Sequence, residues 1–418
     1  MASLRKLLIL GWLVACTPAT PESARSLPPA PSAISLETAR VPEHCRDKPA
    51  VTLVETTPVE SELDDSPRDR THEVWHRMID AAEKSLDIEQ FYVANGGRLE
   101  PIIVAIERAA TRGVTVRLIA DAGFAKTYPE TLARLEKKKI SVRKLDVSKN
   151  MGGVQHAKYF VVDGCEVYFG SANFDWRSLE HIHELGLRVR SLEVASSLRE
   201  VFEVDWALAA DEPRPKPTES FGRFPIELEG KLVYRVAFSP RGYLPDERSW
   251  DLPQLVSAID AAKQSVRVEL LSYEPTTGDE RFEDLDAALR RAGARKVDVK
   301  LLVSHWNTRP GPVEHLKALA QAPGLEVRVA TIPELEKGFI PFARVIHAKY
   351  MVIDDRVVWI GTSNWSGEYF LRSRNVGAVI EGAPLAAEVA GIFDDLWGSS
   401  YSDEIDIDKD YPPPRIAQ

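Results

Sequence analysis

Two histidines, His156 and His347, each stand two residues before a lysine and seven before an aspartate, giving His156-Ala157-Lys158 with Asp163 and His347-Ala348-Lys349 with Asp354. Imidazole can attack, donate or accept a proton near neutral pH, and an ammonium beside it neutralises negative charge. A phosphate diester is an anion that repels nucleophiles, so it requires both. Each motif is followed by a glycine, a hydroxyl, a spacer and a carboxamide: Gly170-Ser171-Ala172-Asn173 and Gly361-Thr362-Ser363-Asn364. Ser171, Asn173, Thr362 and Asn364 are therefore expected to donate hydrogen bonds to phosphoryl oxygens. With Lys158 and Lys349 supplying charge, such a site calls for no metal and no cofactor.

The elements around these residues are α/β in pattern. Tyr159-Phe160-Val161-Val162 and Tyr350-Met351-Val352-Ile353 read as short strands, and period-two alternation puts each histidine on the same face as its lysine. The same alternation turns Asp163 and Asp354 away, as carboxylates that hold a turn. The chain also repeats. Ile79-Asp80-Ala81-Ala82-Glu83-Lys84-Ser85-Leu86-Asp87-Ile88-Glu89 returns 180 residues later as Ile259-Asp260-Ala261-Ala262-Lys263-Gln264-Ser265-Val266-Arg267-Val268-Glu269. Val114–Ile119 returns at an offset of 183 and His156–Tyr159 at 191, so one α/β unit has been duplicated with loop insertions. The boundaries expected are a signal-like segment 1–16, a proline-rich tether 17–50, a first domain 51–211, a linker 212–230, a second domain 231–402 and an acidic solvated tail 403–418.

The paired motifs, with Gly170-Ser171-Ala172-Asn173-Phe174-Asp175-Trp176-Arg177-Ser178-Leu179, Ala343-Arg344-Val345-Ile346-His347 and Ile360-Gly361-Thr362-Ser363-Asn364-Trp365-Ser366-Gly367, resemble the phospholipase D superfamily. Within it they look like the branch of endolysosomal 5′-exonucleases, from about Val51 to Ser402. The resemblance implies two phospholipase D-like α/β/α sandwich domains related by a pseudo-two-fold, with one active site at their interface. It implies a phosphohistidine intermediate with His156 as nucleophile and His347 as general acid/base. The substrate implied is single-stranded DNA or RNA, degraded from the 5′ end. The alternative is a phospholipase D or phosphatidyl transferase acting on phospholipid, and the third reading is an inactive binding protein.

A nucleophilic imidazole needs an acceptor at its far nitrogen. Glu184, 28 residues after His156, fits that role, and Asn375 holds the equivalent position after His347. The expectation is thus Glu184 behind His156, with Asn375 facing His347. His181-Ile182-His183 invites a metal reading, but no partner cluster with ligand spacing accompanies it. Phe91, Tyr92, Trp176, Trp306, Trp365 and Tyr369 can stack on unpaired bases or fill the core.

The bulk composition sets outer bounds. The 418 residues are 44% hydrophobic and 28% charged, with a formal net charge of −10. That balance argues against a broad basic face gripping duplex nucleic acid, and it leaves room for a locally basic cleft. Arg5 and Lys6 precede the apolar run Leu7–Leu13, then Leu13-Val14-Ala15-Cys16 resembles a bacterial lipobox. Export is expected, with lipidation at Cys16 anchoring the protein to a membrane, on the periplasmic side of a Gram-negative outer membrane. Cys45 and Cys165 then remain, and sequence alone leaves open whether they pair. A monomer already contains both motifs, and a dimer stays open.

Overall fold

The helix Glu100–Thr111 illustrates how the chain builds its layers. Ile102, Ile103, Ala105, Ile106 and Ala109 recur at helical spacing and are all buried, Pro101 opens the first turn, and Gly113 at φ +95° lets the chain reverse. It joins the parallel strands Ser85–Gln90 and Thr115–Asp121, a right-sized βαβ crossover. In the second half the helix Asp284–Ala294 joins Ser265–Leu270 to Asp298–Ser304 in the same way. The computed structural model describes residues 42–48, 50–217, 225–228 and 231–417. Cys16 and the expected lipidation lie outside them.

Each half forms one mixed sheet. In the first, the order runs Ala50–Thr56, Ile182–Arg190, Glu166–Gly170, Tyr159–Val162, Ser85–Gln90, Thr115–Asp121, Ser141–Leu145, with Asp69–Arg70 on the outer edge. In the second, it runs Leu232–Val236, Gly377–Glu381, Val357–Gly361, Tyr350–Ile353, Ser265–Leu270, Asp298–Ser304, Leu325–Ala330. The shared order is the duplication seen in sequence. Alternation then divides the apolar residues between layers. Tyr159, Val161, Tyr350 and Val352 enter one central core shared by both halves, while Phe160 and Val162, or Met351 and Ile353, face a separate outer core in each half. The two halves are therefore joined along a continuous apolar layer.

Three expected boundaries shift. The linker 212–230 contains a strand, Ile226–Leu228, that pairs with Leu232–Val236 and extends the second sheet. The acidic tail does not run free: Ser402–Glu404 pairs antiparallel with Leu325–Ala330, and Ile405 is buried beneath it. Asp403, Glu404 and Asp406 stay exposed, so Ile405 is buried without desolvating them. The end of the expected tether is tied down as well, since Glu43–Arg46 forms a helical turn and Cys45 is bridged to Cys165 across 5.7 Å between Cα atoms. Among the described residues no helix is long and apolar enough to cross a membrane.

Candidate active site

Asp163 and Asp354 set the base of the site. The Asp163 carboxylate accepts the backbone N–H groups of Glu83, Lys84 and Ser85 at 2.7–2.9 Å. Asp354 accepts those of Lys263, Gln264 and Ser265 at 2.7–3.2 Å. These are the same three positions of the repeat. Each aspartate thus fixes the turn entering a central strand, next to the strand that carries the motif, and neither points at the histidines.

The chain then leaves each motif strand toward the other half. Gln155 pairs with Arg374, and His156 N–H donates to the Arg374 carbonyl at 2.9 Å. Reciprocally, Val345–Ile346 pairs with Ile182–His183, and His347 N–H donates to the His183 carbonyl at 2.9 Å. Each histidine is consequently oriented by the opposite half. His347 Nδ1 lies 2.8 Å from Glu184 Oε2, and His156 Nδ1 lies 3.1 Å from Asn375 Oδ1. This reverses the expected pairing of Glu184 with His156. The equivalence of Glu184 and Asn375 was legible, but their partners are exchanged because the backing strands cross the interface.

Asn375 has a determined orientation. Its Nδ2 donates to the carbonyls of Tyr369 at 2.8 Å and Ser373 at 3.3 Å and to Ser239 Oγ at 3.2 Å, so Oδ1 faces His156. Thr362 Oγ1 donates to that same Oδ1 at 2.9 Å. His156 must then carry its proton on Nδ1, which leaves Nε2 with a lone pair. Ser171 is occupied in the matching place: its Oγ donates to the Leu185 carbonyl at 3.2 Å and accepts Leu185 N–H at 3.0 Å, beside Glu184. The hydroxyls of Ser171 and Thr362 therefore hold the backing strands. This corrects their expected role as phosphate donors, because the crossed strands claim them first. Asn173 and Asn364 differ. Both are buried, and Oδ1 of each has no protein hydrogen-bond partner.

The electrostatics are those of a site short of negative charge. Lys158 and Lys349 are almost wholly buried, each donating to its own histidine's carbonyl at 2.6 and 2.5 Å. Burial, then the charge of Lys349, pushes Lys158 well below the ordinary ammonium range, and burial pushes Lys349 down to about 7 against the pull of Glu184. His156 is held well below the usual imidazole range by burial and by Lys158, Lys349 and His347. Burial takes His347 down to about 4 although Glu184 opposes it. Glu184 stays below its ordinary value despite burial, because His347 and Lys349 face it. An anion seated among these four nitrogen bases would relieve their repulsion.

Around His156 the rings of Phe91 and Tyr369 stand edge-on at 5.1 and 4.8 Å. Trp365 is fully buried in the core, whereas Trp306 lies beside exposed Phe342. The histidine read as a metal candidate, His183, has both ring nitrogens committed, to Glu269 at 2.9 Å and Glu55 at 3.1 Å, and these carboxylates raise it to about 10 in the face of burial. Its counterpart Arg374, 191 residues on, is fully buried and pairs with both oxygens of Asp205 at 2.6 and 2.8 Å. Sequence reasoning missed this pair of buried cations, although each immediately precedes a backing residue at the motif offset.

A family model described as "Cardiolipin synthase, PLD-like domain" matches residues 76–206 and again 255–397. A probable phospholipase D of Caenorhabditis elegans is 30% identical over 84% of this chain and 70% of its own length. The 5′-3′ exonuclease PLD3 of Homo sapiens is 31% identical over 88% of this chain and 83% of its length. The fold is similar to phosphatidylserine synthase of Haemophilus influenzae, with TM-score 0.60 at 14% identity, covering 80% of this chain and 85% of that one. Twice-matched domains, a duplicated sheet and two His-x-Lys motifs meeting at one interface make this chain a member of the phospholipase D-like family of phosphodiesterases.

Proposed function

We propose that this phosphodiesterase is a metal-independent 5′ exonuclease on single-stranded DNA or RNA, working through a phosphohistidine on His156. The observation that carries the chemistry is the unequal backing of two buried histidines. Asn375 is a neutral acceptor, so it fixes the tautomer of His156 without favouring its protonation. Glu184 is an anion and favours a proton on His347. Nε2 of His156 attacks phosphorus as His347 protonates the departing 5′-oxygen of the remaining strand. His347, now neutral, takes a proton from water, which breaks the phosphorus–nitrogen bond and releases a nucleoside 3′-phosphate. Lys158, Lys349, Asn173 and Asn364 surround the phosphoryl oxygens. The roles given to the two histidines agree with the sequence expectation, for a different reason.

The substrate class is supported by relatives named as exonucleases, 31% identical over most of the chain, and by the rings that flank His156. Relatives named phospholipase D support phospholipid as the second reading. Anchoring through Cys16 on an exported protein is part of the proposal. The deciding experiment offers a 5′-hydroxyl oligonucleotide and phospholipid vesicles, each with chelator present. Stepwise shortening of the oligonucleotide is expected. Head-group release with intact oligonucleotides would replace this reading with the lipid one. In His347→Asn, a diester whose good leaving group needs no protonation should leave its phosphoryl label on His156, because the base that activates water in the second step is gone; label on Lys or on no residue defeats the covalent mechanism.

A further inference from the structure

Outward from His156, past Phe91 and Tyr92, lies a cavity of about 370 Å³ walled by Asn95, Tyr128, Glu130, Arg134, Trp176 and Arg177 among others. That volume is at the scale of small-ligand sites. A continuous series of rings connects it to the reacting centre. Phe91 stands 5.1 Å from His156, Tyr92 is 5.4 Å from Phe91, and Tyr128, in the cavity wall, is stacked on Tyr92 at 5.3 Å with 27° between planes. At most a few nucleotides of extended strand would span these steps.

The opposite wall is built to hold a ring in place. Gly96, at φ +139°, sits where an added Cβ would meet the Trp176 indole at 3.3 Å, and Gly97, at φ +40°, would meet Trp176 Cβ at 3.3 Å and Glu180 closer still. His181 abuts the indole edge-on at 5.5 Å, and the Arg177 guanidinium is 5.7 Å from its ring. Arg177 is itself fixed by Asp175 at 2.7–3.0 Å and by the Tyr128 hydroxyl at 3.1 Å. Oδ1 of Asn95 has no hydrogen-bond partner. The cavity thus combines aromatic faces, an amide acceptor and guanidinium groups.

The duplication provides an internal comparison. At the positions of Phe91, Tyr92 and Trp176 the second half carries Leu271, Ser272 and Gly367. The space above Gly367 is filled by Thr277 and Phe282, from the hairpin segment that the first half lacks. The second copy thus packs this volume with its own chain, whereas the first copy places aromatic rings there and leaves a cavity between them. Such faces suit a flat heteroaromatic ligand.

We propose that this cavity is a nucleobase subsite, which receives one base of the single-stranded substrate, between Tyr128 and Trp176, on the His156 side of the scissile phosphate. The proposal rests on the nuclease reading above and adds where a base is held. Stacking between fixed rings tolerates any base, so the subsite sets grip on the strand and not sequence preference.

The test scans a single abasic nucleotide through an oligonucleotide and measures kcat/KM at each cleavage position. Wild type should lose about tenfold when the abasic residue falls at one position a few nucleotides from the cleaved bond. In Trp176→Ala that selective loss should vanish, and in Trp176→Phe it should return. Tyr128→Leu, at a half-buried position, repeats the cycle should the tryptophan variant fold poorly. Oligonucleotides cleaved with an equal abasic penalty at every position, or with a penalty that survives both variants, overturn the subsite and leave the nuclease reading intact. If wild type cleaves no oligonucleotide, both readings fall together.

Discussion

Glu184 and Asn375 occupy equivalent places 191 residues apart, and the difference of one amide for one carboxylate makes the two histidines chemically unequal. The pH profile should report that difference. The reactive form has His156 neutral and His347 protonated, so the rate rises with pH as His156 loses its proton and falls as His347 loses its own. With burial pushing His347 down to about 4 and holding His156 well below the usual imidazole range, kcat/KM should peak on the acidic side of neutrality. Glu184→Gln removes the group that opposes burial at His347. Its descending limb should move to lower pH, with kcat down on the order of 10²-fold. Asn375→Asp puts an anion behind His156 and should move the ascending limb to higher pH. Steady-state profiles of the two variants check both directions, and limbs that stay fixed in both would show that the backing groups do not govern the protons.

At the scale of elements, Asp354 joins the turn before Ser265–Leu270 to the strand Tyr350–Ile353, accepting the N–H groups of Lys263, Gln264 and Ser265. Burial raises this carboxyl, yet the hydrogens of Ser265, Gln264 and Lys263 hold it below the ordinary carboxylate value. A depressed carboxylate stabilises above its unfolded pKa and loses that contribution as pH falls through the folded one. Asp354→Ala should therefore cost about 2 kcal/mol in denaturant unfolding, and lower kcat/KM less than tenfold, whereas His347→Ala abolishes turnover. Undiminished stability with a loss above 10³-fold would assign the aspartate to proton transfer. This structural role was legible in the sequence, as were the strands, the duplication and the two motifs. Each depends on spacing within one segment, such as the alternation through Tyr159–Val162. The partner of Glu184 was not legible, because spacing shows that Glu184 and Asn375 are equivalent but not which half each faces. Ser171 and Thr362 were misread for a different reason: each hydroxyl is taken by the neighbouring strand of its own half, Ser171 by Leu185 and Thr362 by Asn375 and Val376, contacts that motif spacing does not show.

On the scale of the molecule, the halves are bound by ion sets that cross the interface in both directions. His183 of the first half meets Glu269 of the second as well as Glu55, and Arg374 of the second half meets Asp205 of the first. Both cations immediately precede a backing residue, so the contacts that hold the halves together also place Glu184 and Asn375 behind their histidines. Removing one partner leaves a buried charge alone, and Arg374→Met should cost about 3–5 kcal/mol, much of it restored when Asp205→Leu is added. His183 allows a sharper test, because its charge can be titrated. Its folded pKa is raised to about 10, so its stabilising contribution is complete below the unfolded value near 6.5 and is lost as pH rises through 10. Thermal unfolding of the wild type should consequently fall in midpoint between pH 7 and 10. His183→Gln should begin lower and vary less over the same range, since its amide still offers hydrogen bonds but carries no proton to lose. Equal slopes for the two proteins would mean that the buried triad is held by shape and not by charge.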